Sequence, residues 1–360
     1  MNWIALLGKR DSPTDGVADY CECLAAALAR KGQPLEVTRV GWAVEGWRQA
    51  LRRLSAESEA WRGKWVLLQY TALSWSRRGF PFGAYAALRT LHRQGARCAI
   101  VFHDSSSFGG DRLKERIRNV CQDWVIQSAY DLAERSIFTV PTQQISWLSH
   151  HREKAVFIPI GANLPASNGS YPGDTTRRDT KKTVAVFGVT GNDGPREIAD
   201  IAYAIGRAQR QVGDLRLLVL GRGSDEARGS LERALTGTGV DVNVLGVLPA
   251  EQVSRTLAGA DAFLSVRGLV SPRRSSVLAG VACGLPVVGY GEPESCYPIS
   301  EAGLALAPWR DRDALAAALG RVLGDDAYRQ ELQQRSRRAQ AEHFDWDRIA
   351  ERYLRVFGDD

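Results

Sequence analysis

The sequence lacks the long apolar runs, clustered cysteines and charged tails that assign a chain to several common classes of protein. None of its apolar runs reaches the length of a membrane-crossing helix, and its N-terminus lacks the residue order of a signal peptide. The six cysteines have neither the spacing of a zinc site nor the pattern of a small disulfide-bonded domain. These absences predict a cytoplasmic protein whose cysteines are free thiols.

The charge of the chain is mildly basic and evenly spread. Its 47 Lys and Arg residues exceed its 41 Asp and Glu residues, and no block of basic residues forms a tail. This balance suits an anionic ligand better than a nucleic acid, which requires a concentrated basic patch. With 360 residues, 44% of them hydrophobic, the chain is long enough for two domains with substantial cores.

Short apolar runs alternate with amphipathic helical patterns, which predicts parallel sheets covered by helices. Strands are predicted at residues 2–8, 35–40, 65–70, 98–103, 183–188, 215–220, 240–245, 262–266 and 286–290, and helices at 17–31, 44–56, 82–94, 195–211, 225–235 and 250–257. Residues 165–182 are polar and aperiodic, as in a linker. We therefore predict an α/β fold with domains at 1–163 and 183–343, a linker at 164–182 and a last helix at about 344–360. Two such domains in tandem leave a cleft in which ligands bind.

Two adjacent arginines, Arg273 and Arg274, stand where a helix is predicted to begin. Ser271 is the predicted N-cap, Pro272 the first helical residue and Gly284 the stop. The helix dipole disfavours cations at this end, unless an anion binds there and recruits both guanidinium groups. The alternative is that both arginines reach surface carboxylates. The predicted phosphate-binding residues of this segment are Ser271, Arg273, Arg274 and Ser275.

A further arginine, Arg267, directly follows the strand predicted at 262–266. Ligands of parallel α/β sheets bind at the carboxyl ends of strands, so Arg267 is also a candidate phosphate ligand. The loop at Gly221 and Gly223 lacks the third glycine of a dinucleotide fingerprint and is a weak signal.

Several short motifs, taken in order, resemble those of GT-B glycosyltransferases, in particular the retaining group called family 4. In the second half they are Gly246-Val247-Leu248-Pro249, Ala260-Asp261-Ala262-Phe263-Leu264 and Ala282-Cys283-Gly284-Leu285-Pro286. In the first half they are Asp15-Gly16-Val17-Ala18-Asp19-Tyr20, Val101-Phe102-His103-Asp104 and Ile158-Pro159-Ile160-Gly161-Ala162-Asn163. Phe344-Asp345-Trp346 is similar to the start of the family's final helix. The resemblance implies two doubly wound Rossmann-like domains facing across a cleft, with the final helix crossing back to the N-terminal domain.

The chain departs from the family at two glutamates that are usually seven residues apart. Counting back from Gly284 places those positions at Ser271 and Ala279, so both carboxylates are missing. In the family the second glutamate holds the nucleotide ribose. We therefore expect the nucleotide to be held mainly through its phosphates, with Arg273 and Arg274 as the substitute source of binding energy.

The resemblance also implies an activity and a set of residue roles. The activity is transfer of a hexose-type sugar from a nucleoside diphosphate sugar, such as a UDP- or GDP-sugar, with retention and with no metal or other cofactor. His103 would touch the donor sugar, Asp104 would orient its loop, and Asp15 and Gly16 would line the opposite wall. Arg196 lies near the family's phosphate-binding lysine, although a structural role at a helix start is equally consistent with its position. Val247 would meet the base, and Glu294 would bind sugar hydroxyls.

The acceptor is less constrained by the sequence. Val44, Trp47, Leu51 and Leu54 form an apolar stripe at helical spacing, which is usually core. With basic residues beside it, the stripe could instead rest on an anionic membrane that carries a lipid-linked acceptor. A glycan or a small molecule is an equally compatible acceptor. Two alternatives to the transferase remain, a non-catalytic nucleotide- or sugar-binding protein and a nucleotide-sugar epimerase, for which the sequence offers no paired carboxylates.

Overall fold

The computed structural model describes residues 2–11, 15–148, 153–164, 181–189, 193–292 and 295–358. It divides into two compact units. The N-terminal unit comprises Met1–Ile160 with Trp346–Asp360, and the C-terminal unit comprises Gly161–Asp345. The predicted division places the boundaries at residues 163 and 343, and most of the predicted linker lies outside the described residues.

The N-terminal unit is built on a parallel six-stranded sheet with the order β2-β1-β3-β4-β5-β6. Its strands are β1 (Trp3–Leu7), β2 (Leu35–Arg39), β3 (Trp65–Tyr70), β4 (Arg97–Phe102), β5 (Arg135–Phe138) and β6 (Ala155–Phe157). Its helices up to the linker are α1 (Gly16–Arg30), α2 (Trp42–Glu45), α3 (Trp47–Glu57), α4 (Phe82–Arg93) and α5 (Leu113–Leu132). Every residue of β1 and β3 is buried, as expected of parallel strands covered on both faces.

The C-terminal unit repeats this plan with the sheet order β12-β11-β10-β7-β8-β9, again all parallel. Its strands are β7 (Lys182–Phe187), β8 (Leu215–Leu220), β9 (Asp241–Gly246), β10 (Ala262–Leu269), β11 (Val287–Tyr290) and β12 (Leu304–Ala307). Its helices are α6 (Gly194–Val212), α7 (Ser224–Ala234), α8 (Ala250–Ala258), α9 (Ser275–Ala282), α10 (Arg312–Gly324) and α11 (Asp326–Ala339), and the chain ends with α12 (Trp346–Phe357).

Helix α12 packs within the N-terminal unit. The hydroxyl of Tyr353 lies 2.6 Å from that of Tyr20 on α1, and both side chains are buried. The ring of Phe357 meets Trp3 and Trp65 edge-on, with centroids 5.4 and 4.8 Å away. The predicted fold class, two doubly wound α/β units with a final helix that returns to the first, is confirmed.

The structure corrects one predicted helix and adds elements that the sequence pattern does not reveal. The helix predicted at 44–56 is divided at Gly46, whose φ of 77° favours glycine, so that α2 ends and α3 begins there. Helix α5 and strands β5, β6 and β12 are absent from the prediction. Of the helices in the described ranges, none is both long enough and apolar enough to cross a membrane.

Candidate active site

Each sheet has a topological switch point, where the strand order reverses. In the C-terminal unit it lies between β7 and β10, because the chain proceeds outward through β8 and β9 and then returns to the other side of β7. In the N-terminal unit it lies between β1 and β3. The loops at the carboxyl ends of the two central strands diverge there, which leaves a crevice suited to a ligand.

Arg267 reaches across the switch point of the C-terminal unit. It lies within β10, which extends three residues beyond its predicted end, and its side chain is exposed. A Cβ atom added to Gly188, directly after β7, would lie 3.9 Å from Arg267 Nη1. Among the described residues, no hydrogen bond or ion pair engages the Arg267 side chain. Its guanidinium group is thus available to an anion at this crevice.

Arg274 folds back over the end of the same strand. Its Nε donates to the carbonyl oxygen of Leu269 at 2.7 Å. Its Nη2 occupies the space that a Cβ atom would need at Gly268, whose φ of 66° also disfavours a side chain. Gly268 therefore allows the Arg274 guanidinium group to lie against the backbone at the carboxyl end of β10.

The predicted N-cap of the following helix is wrong. Helix α9 begins at Ser275, with Arg274 in the cap position at φ −91° and ψ 99°. Ser271 is buried, and its hydroxyl accepts from the N–H of Arg273 at 3.3 Å. Bonding two residues ahead forms a turn, whereas an N-cap bonds the second or third helical N–H. Pro272 consequently lies in this turn and is not the first helical residue.

The true start of α9 retains the character of an anion site. Within the described residues, no side chain caps it and its first turn contains no acidic residue. Its first N–H groups therefore remain available, and the helix dipole favours a negative charge near them. Ser275 is the first helical residue, so its N–H and hydroxyl belong to this end. The predicted stop is confirmed, since α9 ends at Ala282 and Gly284 has a φ of 69°.

Arg196 takes part in an ion-pair network at the start of α6. Its Nε and Nη1 lie 2.6 and 2.8 Å from carboxylate oxygens of Asp193 and Asp200. Asp200 is buried and also accepts from the hydroxyl of Tyr290 at 3.0 Å. These contacts give Arg196 the structural role that its position left open, and its predicted contact with phosphate stays a prediction.

In the N-terminal unit, His103 directly follows β4 and is held by Gln69. His103 Nε2 lies 3.0 Å from Gln69 Oε1, and the Gln69 amide nitrogen donates to the carbonyl of Leu67 at 3.2 Å. The glutamine oxygen is therefore the acceptor, His103 Nε2 carries the proton, and Nδ1 is left as an acceptor. Burial lowers the pKa of His103 to about 4, so its imidazole is neutral near pH 7.

Asp104 and Asp15 fix loops at the carboxyl edge of this sheet. Asp104 Oδ2 accepts from the N–H of Ala72 at 3.0 Å, which ties the loop after β4 to the loop after β3. Asp15 caps α1, of which Gly16 is the first residue, by accepting from the N–H of Ala18 at 3.1 Å. Its other carboxylate oxygen lies 3.0 Å from Arg39 Nη2. Contacts of Asp15 and Gly16 with a donor remain predictions.

The remaining predicted residues are those for the nucleotide base, the sugar hydroxyls and the acceptor. Val247 is exposed in the loop after β9, where a base could pack against it. Glu294 lies outside the described residues. In the predicted acceptor stripe, Leu54 is buried and Trp47 stacks on Trp42 with ring centroids 4.9 Å apart. This stripe is largely core, and only Val44 points fully into solvent.

Sequence reasoning missed Gln69 and Gly268. Gln69 is 1% exposed, and the signal for it is a polar residue inside the otherwise apolar strand at 65–70. Gly268 follows Arg267 directly, and a glycine at a strand end indicates close approach of another group.

The C-terminal unit matches the sequence model of a known family, described as "Glycosyl transferases group 1", over residues 181–325. No curated protein sequence matches the chain.

Solved glycosyltransferase structures have a similar fold. The HepE structure from Anabaena, in complex with UDP and glucose, has 12% identity, a TM-score of 0.69 and 100% coverage of both chains. Sucrose-phosphate synthase from Thermosynechococcus elongatus has 17% identity, a TM-score of 0.68 and 100% coverage of both chains. A mutant of TarM from S. aureus, in complex with Fondaparinux, alpha-GlcNAc-glycerol and UDP, has 13% identity and a TM-score of 0.61. That match covers 86% of this chain and 59% of TarM. The chain therefore has the GT-B fold, and its residues 181–325 form a domain that matches the group 1 glycosyltransferases.

Proposed function

We propose that the chain transfers a sugar from a nucleoside diphosphate sugar to a hydroxyl group of an acceptor, and that its C-terminal unit binds the diphosphate at the carboxyl end of β10. The observation that carries this proposal is that Arg267 and Arg274 both lie at the carboxyl end of β10, where the first is near Gly188 across the switch point and the second lies against Gly268. The uncapped start of α9 follows directly. Guanidinium groups and helix N–H groups are the donors that bind phosphate oxygens most strongly.

The transfer breaks the bond between the anomeric carbon and the diphosphate oxygen and forms a bond from that carbon to the acceptor oxygen. Negative charge grows on the diphosphate as it leaves, and the acceptor hydroxyl gives up its proton. Donors already aimed at the diphosphate stabilise this charge without reorganising. Because arginines and the α9 N-terminus supply the positive charge, the proposed reaction requires no metal ion. We also propose retention at the anomeric carbon, with the leaving phosphate accepting the proton.

His103 supplies a neutral hydrogen-bond partner for a sugar. Its Nε2 is engaged by Gln69, so Nδ1 is the atom that can accept from a sugar hydroxyl. With a pKa of about 4, the ring keeps this acceptor at neutral pH. A group with so low a pKa is a weak base, so we assign His103 to sugar positioning and not to removal of the acceptor proton.

The solved relatives support the class of substrates. UDP is present in the TarM and HepE structures, and TarM also holds Fondaparinux and alpha-GlcNAc-glycerol. We therefore propose a UDP-sugar as the first donor to test and a glycan as the first acceptor. Lipid-linked and small-molecule acceptors should be assayed alongside the glycan.

Calorimetric titration with UDP, GDP and ADP, each beside its monophosphate and in buffer with EDTA, tests the donor site. We expect saturable binding of one diphosphate and much weaker binding of the matching monophosphate, because the second phosphate provides the contacts with arginine. The corresponding nucleotide sugar should release the same diphosphate slowly in water and faster with an acceptor. Failure of every diphosphate to bind would contradict the proposal. Binding without turnover of any nucleotide sugar would indicate a non-catalytic binding protein.

A further inference from the structure

Tyr20 on α1 packs its ring against His103. The two ring centroids are 5.0 Å apart, and the ring planes lie at 84° to each other. Aromatic rings favour this edge-to-face arrangement at centroid distances of about 4.5–7 Å. Tyr20 is 2% exposed, whereas His103 is half-buried. A ligand can therefore touch His103 but not Tyr20, so that any effect of Tyr20 on a substrate must pass through His103.

The hydrogen bond between His103 and Gln69 fixes only one atom of the imidazole. His103 Nε2 lies 3.0 Å from Gln69 Oε1. An imidazole held at a single nitrogen can still tilt about that atom, because a hydrogen bond tolerates a range of angles. The ring of Tyr20 restrains this tilt because it packs against the imidazole nearly at a right angle. Together the two contacts determine the direction in which Nδ1 of His103 faces.

Helix α12 holds Tyr20 in turn. The hydroxyl of Tyr353 lies 2.6 Å from that of Tyr20, and the ring of Trp346 meets Tyr20 edge-on with centroids 5.2 Å apart. Burial raises the pKa of both tyrosine hydroxyls, so both remain protonated and can share this hydrogen bond at neutral pH. The ring of Tyr20 is therefore fixed from a second helix as well as from its own.

Two ion pairs align α12 with the far end of α1. Arg30 Nη2 lies 2.6 Å from Asp347 Oδ1, and Lys31 Nζ lies 2.9 Å from Glu351 Oε1. Exposed pairs of this kind add little stability, but they join the same two helices as the buried tyrosine pair. A continuous series of contacts thus runs within the N-terminal unit from α12, through the buried tyrosine of α1, to the half-buried histidine after β4.

We propose that Tyr20 is a positioning residue for the sugar of the nucleotide donor. Its ring holds the imidazole of His103 so that Nδ1 accepts from a sugar hydroxyl, and α12 keeps that ring in place. This inference rests on the role of His103 in the proposed function. Because Tyr20 acts only through His103, its contribution belongs to the affinity for the nucleotide sugar and not to the affinity for the nucleoside diphosphate, which lacks the transferred sugar.

Nuclear magnetic resonance of the full chain with 15N-labelled histidine tests how the imidazole is held, without any nucleotide. The signals of His103 are those that disappear in His103→Gln. In the wild type we expect only the tautomer with the proton on Nε2, because Gln69 accepts from that atom. In Tyr20→Leu the ring nitrogens should shift toward a mixture of the two neutral tautomers. Tyr20→Phe keeps the ring and should keep the wild-type tautomer.

Calorimetric titration then measures the effect on the donor. UDP-glucose, GDP-glucose and ADP-glucose are each compared with their diphosphate, and the ratio of the two Kd values is the readout. Tyr20→Leu should raise this ratio about threefold to tenfold, the loss of one neutral hydrogen bond, whereas Tyr20→Phe should change it less than about twofold. Phe357→Leu is the matched control and should leave the ratio unchanged. It removes another buried ring from the same unit, whose ring partners in the described ranges are Trp3, Trp65 and Tyr353.

A mixture of tautomers in the wild type would overturn the proposal, because the imidazole would then not be held. A wild-type spectrum for Tyr20→Leu, or an equal change of the Kd ratio in Tyr20→Leu and Phe357→Leu, would do the same. If Tyr20→Leu does not fold, Tyr20→Met takes its place with the same expected results, since its flexible side chain fills the gap. Failure of every diphosphate to bind would contradict the proposed function but would leave the tautomer result unchanged, so the two failures are distinguishable.

Discussion

Removal of the Arg267 side chain is the most direct perturbation of the proposed donor site. Among the described residues, the Arg267 guanidinium has no partner to lose, so Arg267→Ala should change the free energy of unfolding by no more than about 0.5 kcal/mol. Arg274 is less suitable, because its Nε also holds the Leu269 carbonyl at 2.7 Å. A charge-assisted hydrogen bond to phosphate contributes about 1.5–3 kcal/mol. We expect the lower end of that range, because Arg267 is exposed to water.

The expected loss for Arg267→Ala is therefore about 10-fold to 30-fold in the Kd of the nucleoside diphosphate. Calorimetric titration measures this ratio, and the monophosphate should show a much smaller one. Arg255→Ala is the matched control, because it removes an exposed arginine from α8 in the same unit. It corrects for the change in net charge. If Arg267→Ala and Arg255→Ala bind the diphosphate equally well, the assignment of Arg267 to the phosphate site is wrong.

Two further predictions concern the N-terminal unit. The pKa of His103 is about 4 in the folded protein and 6.5 in the unfolded chain. As the pH falls, the unfolded chain therefore takes up the proton before the folded protein does. The free energy of unfolding should fall by up to about 3 kcal/mol as the pH decreases from about 6.5 to about 4, and urea titrations of His103→Gln should show a smaller fall. Tyr353→Phe breaks the 2.6 Å bond to Tyr20 and should cost about 1–3 kcal/mol. The double variant Tyr20→Phe/Tyr353→Phe should cost less than the sum of the two single variants in the same titrations, because it leaves no buried hydroxyl unpaired.

The elements that the sequence predicts well are those with long, regular patterns. The helix predicted at 17–31 is α1, which spans Gly16–Arg30, and the strand predicted at 65–70 is β3. The start of α9 lies later in the chain than predicted, although Ser271 followed by proline is a good local signal for an N-cap. Tertiary contacts override that signal. The N–H of Val270 donates to the carbonyl of Tyr290 at 2.7 Å, and Ser295 Oγ donates to the Val270 carbonyl at 2.7 Å.

In the candidate site too, some features follow from the local sequence and others only from tertiary packing. Arg267 and Arg274 are identifiable by their positions relative to a strand and a helix, which are local properties. That Arg274 also lies at the end of β10, the strand that carries Arg267, depends on Gly268, which leaves room for the Arg274 guanidinium group. For Arg196 the sequence leaves open a phosphate-binding role and a structural role at a helix start. Its ion pairs with Asp193 and Asp200 are visible only in the structure. Helix α5 could not be predicted from apolar periodicity. It has apolar residues both on its buried face and on the opposite, exposed face, so its sequence lacks the one-sided pattern of an amphipathic helix.

By itself the sequence determined the α/β class, two domains, most strands and the resemblance to GT-B glycosyltransferases. Apolar periodicity and turn residues act over a few positions, so they are readable from the chain alone. Only the tertiary structure decided the strand orders, and with them the switch points beside Arg267 and at the end of β1. Strand order depends on which side of the sheet each crossover returns to, and that choice is made by packing between residues far apart in the sequence. The same packing decides which apolar side chains form the core and which, as on α5, remain exposed to solvent.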